Sequence, residues 1–304
     1  MKLLKENESI IIFNVEEDGK TLEEYLYHKD LSGRLFRRLY KGKNIFINGK
    51  VERKSHLVKK GDTISIEMED EKDNTKPQPI PLNIIYEDMD LIVLNKQPFM
   101  VVHPTKSHQE NTISNGISYY FKSQGINKKI RFVNRLDMDT SGILIVAKSP
   151  FAHQQMALQF ENNQVEKRYM AVVNGIVEKD EDIIDLPIGR EEEKSIRKTI
   201  TEEGKDSTTK YKVIERYKDA TLLDIQIFTG RSHQIRVHLN HIGHPIIGDS
   251  LYFETSKYIE RQALHSYYLK GKLPRSKEVF EFKASLSKDI EKLIGILKNG
   301  GLNI

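Results

Sequence analysis

VNRLDMDTSGILIVAK, residues 133–148, sets Arg135, Asp137 and Asp139 at the mouth of an unbroken apolar run. GILIVAKS (142–149) reads as a strand buried on both faces, the kind found where a sheet is covered on two sides. The flanks show what covers it. Downstream, FAHQQMALQFENNQ (151–164) has helical spacing at Met156, Leu158 and Phe160, and KRYMAVVNG (167–175) is a strand. Strand-like runs follow at 211–217 and 221–228. SHQIRVHLNHIGHP (232–245) is a helix, with Ser232 as cap, Ile235, Leu239 and Ile242 on one face, Gly243 at the C-terminal position and Pro245 as the stop. The last helix is 287–298. Upstream, IIYEDMDLIVLNKQ (84–97) gives two short strands and a turn, and TISNGISYYFKSQG (112–125) a helix ending at Gly125. Strands and helices do not alternate as regular βαβ units. The spacing therefore predicts an α+β domain over 82–304, built on a mixed, largely antiparallel sheet.

The N-terminal part differs in composition. IIIFN (10–14) is a short strand, and Thr21 with Glu24 predicts a capped helix to Asp30. LSGRLFRRLYKGK (31–43) is a second helix, capped by Ser32, with Leu35 and Leu39 on one face and Arg34, Arg37, Arg38 and Lys41 on the others. NIFINGK (44–50) alternates and then turns at Asn48-Gly49, a hairpin signal. HLVKKGDTISIEM (56–68) reads as a further strand pair around Lys60-Gly61-Asp62. EDEKDNTKPQPIP (69–81) is acidic, proline-bearing and apolar-poor, so it reads as a linker. The expected units are a module at 1–68, a linker at 69–81 and a domain at 82–304.

The chain has 304 residues, 38% hydrophobic and 30% charged, enough for a core in each unit. With no cysteine, disulfides, thiolate metal sites and cysteine nucleophiles are excluded. No apolar run has the length of a membrane span, and the first residues lack the order of a signal peptide, so the cytoplasm is the expected compartment. The net charge of +4 is unevenly placed. Between His28 and Lys60 stand eleven Lys or Arg against two acids, about +9, which leaves the rest near −5. Such clustering marks either a polyanion-binding surface or a solvated helix face.

Three readings fit the acidic loop. It is a turn with solvated acids, a metal-binding Asp-x-Asp, or a catalytic aspartate held by cations. An arginine beside a carboxylate favours the charged form. Arg135 is local, and Arg231, in FTGRSHQIRVHL, is the candidate second cation. It precedes a helix N-terminus, where a cation opposes the dipole unless a carboxylate faces it. The plain alternative is a buried Arg–Asp pair. His238, His241 and His244 have a zinc-like spacing, but His244 falls past Gly243, so surface or supporting roles fit better.

Two resemblances sharpen this. LSGRLFRRLYKGKNIFINGK followed by HLVKKGDTI resembles the S4-type RNA-binding module over about residues 21–67. That resemblance implies RNA contacts from Arg34, Arg37, Arg38, Lys41, Lys50 and Lys60. NRLDMDTSGILIVAKS, KRYMAVVNG, TGRSHQIRVHLNHIGHPIIGD and RQALHSYYL, in that order over about 82–275, resemble the RluA-type pseudouridine synthases. The fold implied is the pseudouridine synthase fold with a small N-terminal α/β S4-type module. The resemblance makes Asp137 the nucleophile, Tyr169 the tyrosine that stacks on the base, Arg231 the partner of Asp137, and Arg135 the arginine that displaces the base. Leu264 becomes an apolar wall of the pocket. Asn134 departs from the histidine usual there and is expected in a supporting role.

The activity implied is isomerisation of uridine to pseudouridine in structured RNA. Large-subunit ribosomal RNA is the expected substrate, with transfer RNA second. The resemblance implies no cofactor and no metal, because the isomerisation is redox-neutral, and a monomer is expected. Two other classes remain open: a non-catalytic ribosome-assembly factor on the same scaffold, and a metal-dependent glycosyltransferase using Asp137 and Asp139.

Overall fold

The computed structural model describes residues 5–300 other than 70, 72, 106, 107, 193 and 194. The first unit runs β1 (Ile10–Asn14), α1 (Leu22–His28), α2 (Gly33–Lys41), β2 (Ile45–Ile47) and β3 (Thr63–Glu67). The capping box at α1 forms: Thr21 Oγ1 accepts from Glu24 N at 3.2 Å, and Glu24 Oε2 accepts from Thr21 N at 2.8 Å. Ser32 caps α2 by accepting from Leu35 N at 3.3 Å. Leu35, Phe36 and Leu39 turn inward, which leaves Arg34, Arg37, Arg38 and Lys41 on the outer side.

The hairpin at Asn48-Gly49 is only half formed. Both residues take positive φ, 48° and 77°, as a tight two-residue turn requires. Beyond the Ile47–Lys50 bridge, however, the chain leaves the sheet. Residues 56–62 do not form the expected strand partner of 63–67. β3 instead lies in the middle of an antiparallel sheet in the order β1-β3-β2. The reason is local. VERKSHLVKK (51–60) lacks an alternating apolar face, while the Asn48 side chain reaches across to Asp62 Oδ1 at 2.7 Å and to Thr63 N at 2.9 Å.

The remainder begins with β4 (Ile84–Glu87), β5 (Leu91–Lys96), α3 (Ile113–Ser123), β6 (Arg131–Phe132), β7 (Ser141–Ala147) and α4 (Pro150–Glu161). It continues with β8 (Glu166–Asn174), β9 (Glu181–Asp185), β10 (Ile188–Arg190), β11 (Lys198–Ile200), β12 (Thr208–Arg216) and β13 (Ala220–Ile227). It closes with α5 (Gln234–His241), β14 (Leu264–Lys272), β15 (Val279–Lys283) and α6 (Lys288–Lys298). One ten-stranded sheet has the order β4-β5-β7-β14-β8-β13-β12-β9, with β6 on β7 and β15 on β14. Every pairing in it is antiparallel except β14 with β7. The sheet is thus mixed and largely antiparallel. Among the described residues no helix is long and apolar enough to cross a membrane.

β7 is buried at every position, as its composition predicts. Ile143, Ile145 and Ala147 pack with Met156 of α4 and Phe280 and Phe282 of β15. Leu144 and Val146 pack on the other face with Ile113, Ile117 and Phe121 of α3. A third cluster joins β8 and β13 to Ile235 and Leu239 of α5 and to Leu293 of α6. The segment expected as a linker lies against α3: Asn115 Nδ2 donates to Lys76 O at 2.8 Å and Ser118 Oγ to Thr75 O at 2.7 Å. Its residues 70 and 72, like residues 1–4 and 301–304 of the flanking units, lie outside the described residues. The N-terminal unit also rests on α4, since Phe151 joins its core and Gln154 Oε1 accepts from Ser32 N at 3.0 Å.

Candidate active site

Three neighbouring strands bring the expected residues together. Asp137 lies in the loop before β7, Leu264 begins β14, and Tyr169 sits on β8 opposite Ser266. The loop is fixed from both ends and from beneath. Asn134 extends the pairing of β6 with β7: its Oδ1 accepts from Ile145 N at 2.8 Å and its Nδ2 donates to Ile143 O at 3.0 Å. Thr140 N closes the turn on Asp137 O at 3.1 Å. Gly142 has φ +115°, and a Cβ there would lie 2.1 Å from Ser266 O, so only glycine lets β7 meet β14 this closely.

Two buried cations hold the loop's carbonyls. Lys96 Nζ donates to Met138 O at 2.8 Å and to Gln97 O and Met100 O, both at 3.0 Å. Arg261 Nη1 donates to Asp139 O at 2.8 Å, while its Nε and Nη2 pair with Asp289 at 2.6 and 3.0 Å. Burial lowers the Lys96 ammonium to about 7. With both loop neighbours tied down, the Asp137 carboxylate points into a cavity of about 80 Å³ that is also lined by Tyr169, Arg231, His233, Arg236 and Leu264. Arg135, Asp137, Arg231 and His233 also line a wider cleft of about 670 Å³.

The cation on Asp137 is Arg236, not Arg231. Arg236 Nη1 stands 3.1 Å from Asp137 Oδ2, and its Nε and Nη2 grip Asp249, each at 2.7 Å. Arg231 is exposed at the cavity's rim and donates from Nε to Asp206 O at 3.1 Å. The cause is where the helix starts. α5 begins at Gln234, one residue later than a cap at Ser232 would place it, and His233 before it is left-handed, with φ 58°. That turn directs Arg231 outward and sets Arg236 under the loop. Gln234 holds the turn by accepting from Arg231 N at 3.0 Å and from Thr229 Oγ1 at 2.8 Å.

The rest of the site follows from burial. Desolvation, with the Asp137 carboxylate adding to it, pushes the Tyr169 phenol up to about 12, so it keeps its proton at neutral pH. Asp139 is raised by burial, with Lys96, Arg236 and Arg261 opposing that rise. Both acids of the Asp-x-Asp thus face fixed cations, an unfavourable setting for a metal ion, and among the described residues no cluster of three His, Asp or Glu is placed to hold one. His238 is buried rather than on the surface, with Nδ1 2.9 Å from Thr209 Oγ1 and Nε2 3.0 Å from Leu186 O. His244 Nδ1 lies 3.1 Å from Asn174 O. Lys50 and Lys60 are exposed on the N-terminal unit. Sequence reasoning missed Lys96, His233, Arg236 and Arg261. The available signals were a charged residue ending an apolar strand and a second arginine in GRSHQIR.

Comparison with known proteins gives one direction. The family described as RNA pseudouridylate synthase matches residues 90–241. The uncharacterized RNA pseudouridine synthase YjbO of Bacillus subtilis (strain 168) is 38% identical, over 90% of this chain and 98% of that protein. Ribosomal large subunit pseudouridine synthase D of Buchnera aphidicola subsp. Schizaphis graminum (strain Sg) is 35% identical, over 84% of this chain and 86% of its own. Among solved structures, human RNA pseudouridylate synthase domain containing 1 superimposes with a TM-score of 0.58 at 26% identity, covering 73% of this chain and 96% of that one.

Proposed function

The chain belongs to the RNA pseudouridylate synthase family and is a pseudouridine synthase, and from that premise we propose that Asp137 is its nucleophile and large-subunit ribosomal RNA its substrate. The observation that carries the assignment of Asp137 is its place in the cavity. Its carboxylate lies 3.1 Å from the Arg236 guanidinium, in a cavity lined by Tyr169 and Leu264, diagonal neighbours on adjacent strands. A planar base can lie against such an aromatic and aliphatic surface. Extracting it from the stack costs roughly a few kcal/mol, and stacking on an aromatic ring recovers part of that. Arg135, exposed at the rim, is suited to occupy the space the base vacates.

In this reading Asp137 forms a transient covalent bond to the nucleoside. The bond between C1′ and N1 breaks, the base turns, and a bond between C1′ and C5 replaces it. The hydrogen on C5 leaves as a proton, N1 takes one up, and the bond to Asp137 breaks to restore the carboxylate. Tyr169, neutral at working pH, stacks on the base and is available for proton transfer. Arg236 takes the role of partner to Asp137 that the sequence had given to Arg231. The isomerisation needs no redox cofactor.

The substrate rests on relatives named for the large ribosomal subunit, with transfer RNA second. The N-terminal unit, 1–68, serves as an S4-type RNA-binding module, joined through 69–81 to the catalytic domain, 82–304. The outward-facing Arg34, Arg37, Arg38, Lys41, Lys50 and Lys60 suit phosphate contacts to structured RNA. The enzyme works as a monomer in the cytoplasm.

The test is tritium release from RNA labelled at C5 of uridine, using ribosomal RNA from a source lacking the modification. Release by the wild type and none by Asp137→Asn, with RNA affinity retained, is the expected result. Release that persists in Asp137→Asn refutes the nucleophile. Tight binding with no release from ribosomal or transfer RNA would replace the substrate assignment with an assembly role.

A further inference from the structure

His233 takes part in no step described so far, yet its geometry is specific. It is a non-glycine residue in left-handed conformation, φ 58°, and such positions concentrate at functional sites. Its Nδ1 lies 2.9 Å from the Tyr252 hydroxyl and its Nε2 lies 3.9 Å from Asp137 Oδ2. Tyr252 is buried, and its oxygen already accepts from Lys198 N at 2.8 Å. The arrangement that satisfies every group has the phenol proton donated to His233 Nδ1. Nδ1 is then an acceptor, and the ring proton sits on Nε2, facing Asp137. Burial lowers the His233 imidazole and keeps it neutral, with Asp137, Arg236, Asp249 and Lys198 the charged groups that face it.

The 3.9 Å separation is too long for a direct hydrogen bond. Arg236 already supplies the positive charge on Asp137, so His233 contributes a neutral N–H donor beside the carboxylate. A group resting against both atoms meets one donor and one carboxylate acceptor. The group that both accepts from an N–H and donates to a carboxylate is a hydroxyl. The uracil carbonyls only accept, and its N3–H only donates. Within an RNA strand the sole hydroxyl is the ribose 2′-OH, which neighbours C1′, the carbon that changes its bond.

We propose that His233 Nε2–H and the Asp137 carboxylate together bind the 2′-hydroxyl of the target uridine, with Tyr252 the positioning residue that fixes the imidazole tautomer. The site therefore distinguishes ribose from deoxyribose at the reacting nucleotide. Tyr252 is held in turn by the β10–β11 hairpin through Lys198 N and by the Arg197 and Arg236 guanidinium groups, 5.4 and 5.0 Å from its ring. This inference rests on Asp137 lying at the reacting nucleotide, as proposed above.

The test uses full-length enzyme. Tritium release first locates the modified uridine. Oligoribonucleotides spanning it are then made with ribose or 2′-deoxyribose at that one position, and single-turnover rates are read by digestion and chromatography. Wild type is expected to prefer ribose by at least about tenfold, the loss that follows when a charge-assisted hydrogen bond is left unmade. His233→Asn, which tolerates the left-handed backbone, is expected to slow on ribose by a similar factor and to lose the preference. His233→Ala is the second variant should the first misfold. Tyr252→Phe is expected to erode the preference while leaving the melting transition cooperative. A wild type indifferent to the 2′-hydroxyl overturns the proposal, as does a slowed His233 variant that keeps the full ribose preference. Tritium release by Asp137→Asn would instead overturn the nucleophile assignment, so the two failures are told apart.

Discussion

Replacing Arg236 by methionine removes one buried cation from two acids in very different settings. The Asp249 side chain is 1% exposed, and its bidentate partner would be gone. Asp137 is 32% exposed, so water can stand in for the guanidinium there. The stability loss therefore comes almost wholly from Asp249. Breaking a buried pair by removing one partner costs about 3–5 kcal/mol, which for a domain of this size lowers the melting temperature by roughly 10 °C. Adding Asp249→Asn should return most of that loss. The amide stays an acceptor for Leu251 N and Tyr252 N, now bonded at 3.2 and 3.3 Å, but no longer buries a charge. Activity should not return. Losing a preorganised charged group at the reacting centre costs about 10²–10³ in rate. The assay pairs thermal melting with tritium release for Arg236→Met, for the double variant, and for Arg231→Ala, which should melt like the wild type. If the double variant recovers stability and turnover together, Arg236 acts only through the fold, and the ion pair with Asp137 is incidental.

Changing Arg34, Arg37, Arg38 and Lys41 together to glutamine should weaken RNA binding and flatten its salt dependence by roughly three in the log–log slope, because every phosphate left without a cationic side chain keeps its counterions; filter binding across salt concentrations measures this. That variant is cleaner than deleting residues 1–68, which would also uncover Phe151. Gly142→Ala should destabilise by at least about 2–3 kcal/mol, since its methyl group would meet the Ser266 backbone; an unchanged denaturation midpoint would contradict the close approach of β7 and β14. His265, buried and with Nδ1 2.9 Å from Ser141 Oγ, is lowered by burial from 6.5 to about 4. The unfolded chain takes the proton first, so stability is full above pH 6.5 and falls as pH drops towards 4, by roughly 3 kcal/mol. His265→Gln should remove that slope from urea melts run across the same range.

Strand β7 and the loop before it could be read from the sequence because burial and turn chemistry are written locally. Ile143 to Ala147 are apolar whichever face they meet, and Thr-Ser-Gly signals the turn. Arg236 could not be found that way. Helix α5 is buried at Gln234, Ile235, Arg236, Val237, His238 and Leu239, so it has no polar face against which a functional arginine would stand out. The same burial hid His238, whose partners, Thr209 on β12 and Leu186 between β9 and β10, lie far away in sequence. The strand after Asn48-Gly49 failed for the opposite reason. The turn residues were right, but a turn does not fix how far the pairing extends. Lys96 and Arg261 hold backbone carbonyls, which no residue type advertises, and a charged residue ending an apolar strand was the only hint at Lys96.

The place of β14 in the sheet bears on how the enzyme comes to exist. It lies between β7 and β8, yet among the described residues every other strand except β15 precedes it. Until residues near 264 leave the ribosome, the β7 and β8 edges it will join stay open, and the wall contributed by Leu264 is missing. Assembly at this point must wait for contacts spanning more than a hundred residues, the kind that make folding slow. Newly made chains therefore pass through an inactive interval with two unpaired edges, during which neighbouring copies can pair with each other instead. The wall at Leu264 and the grip of Arg261 on Asp289 both form only after that interval.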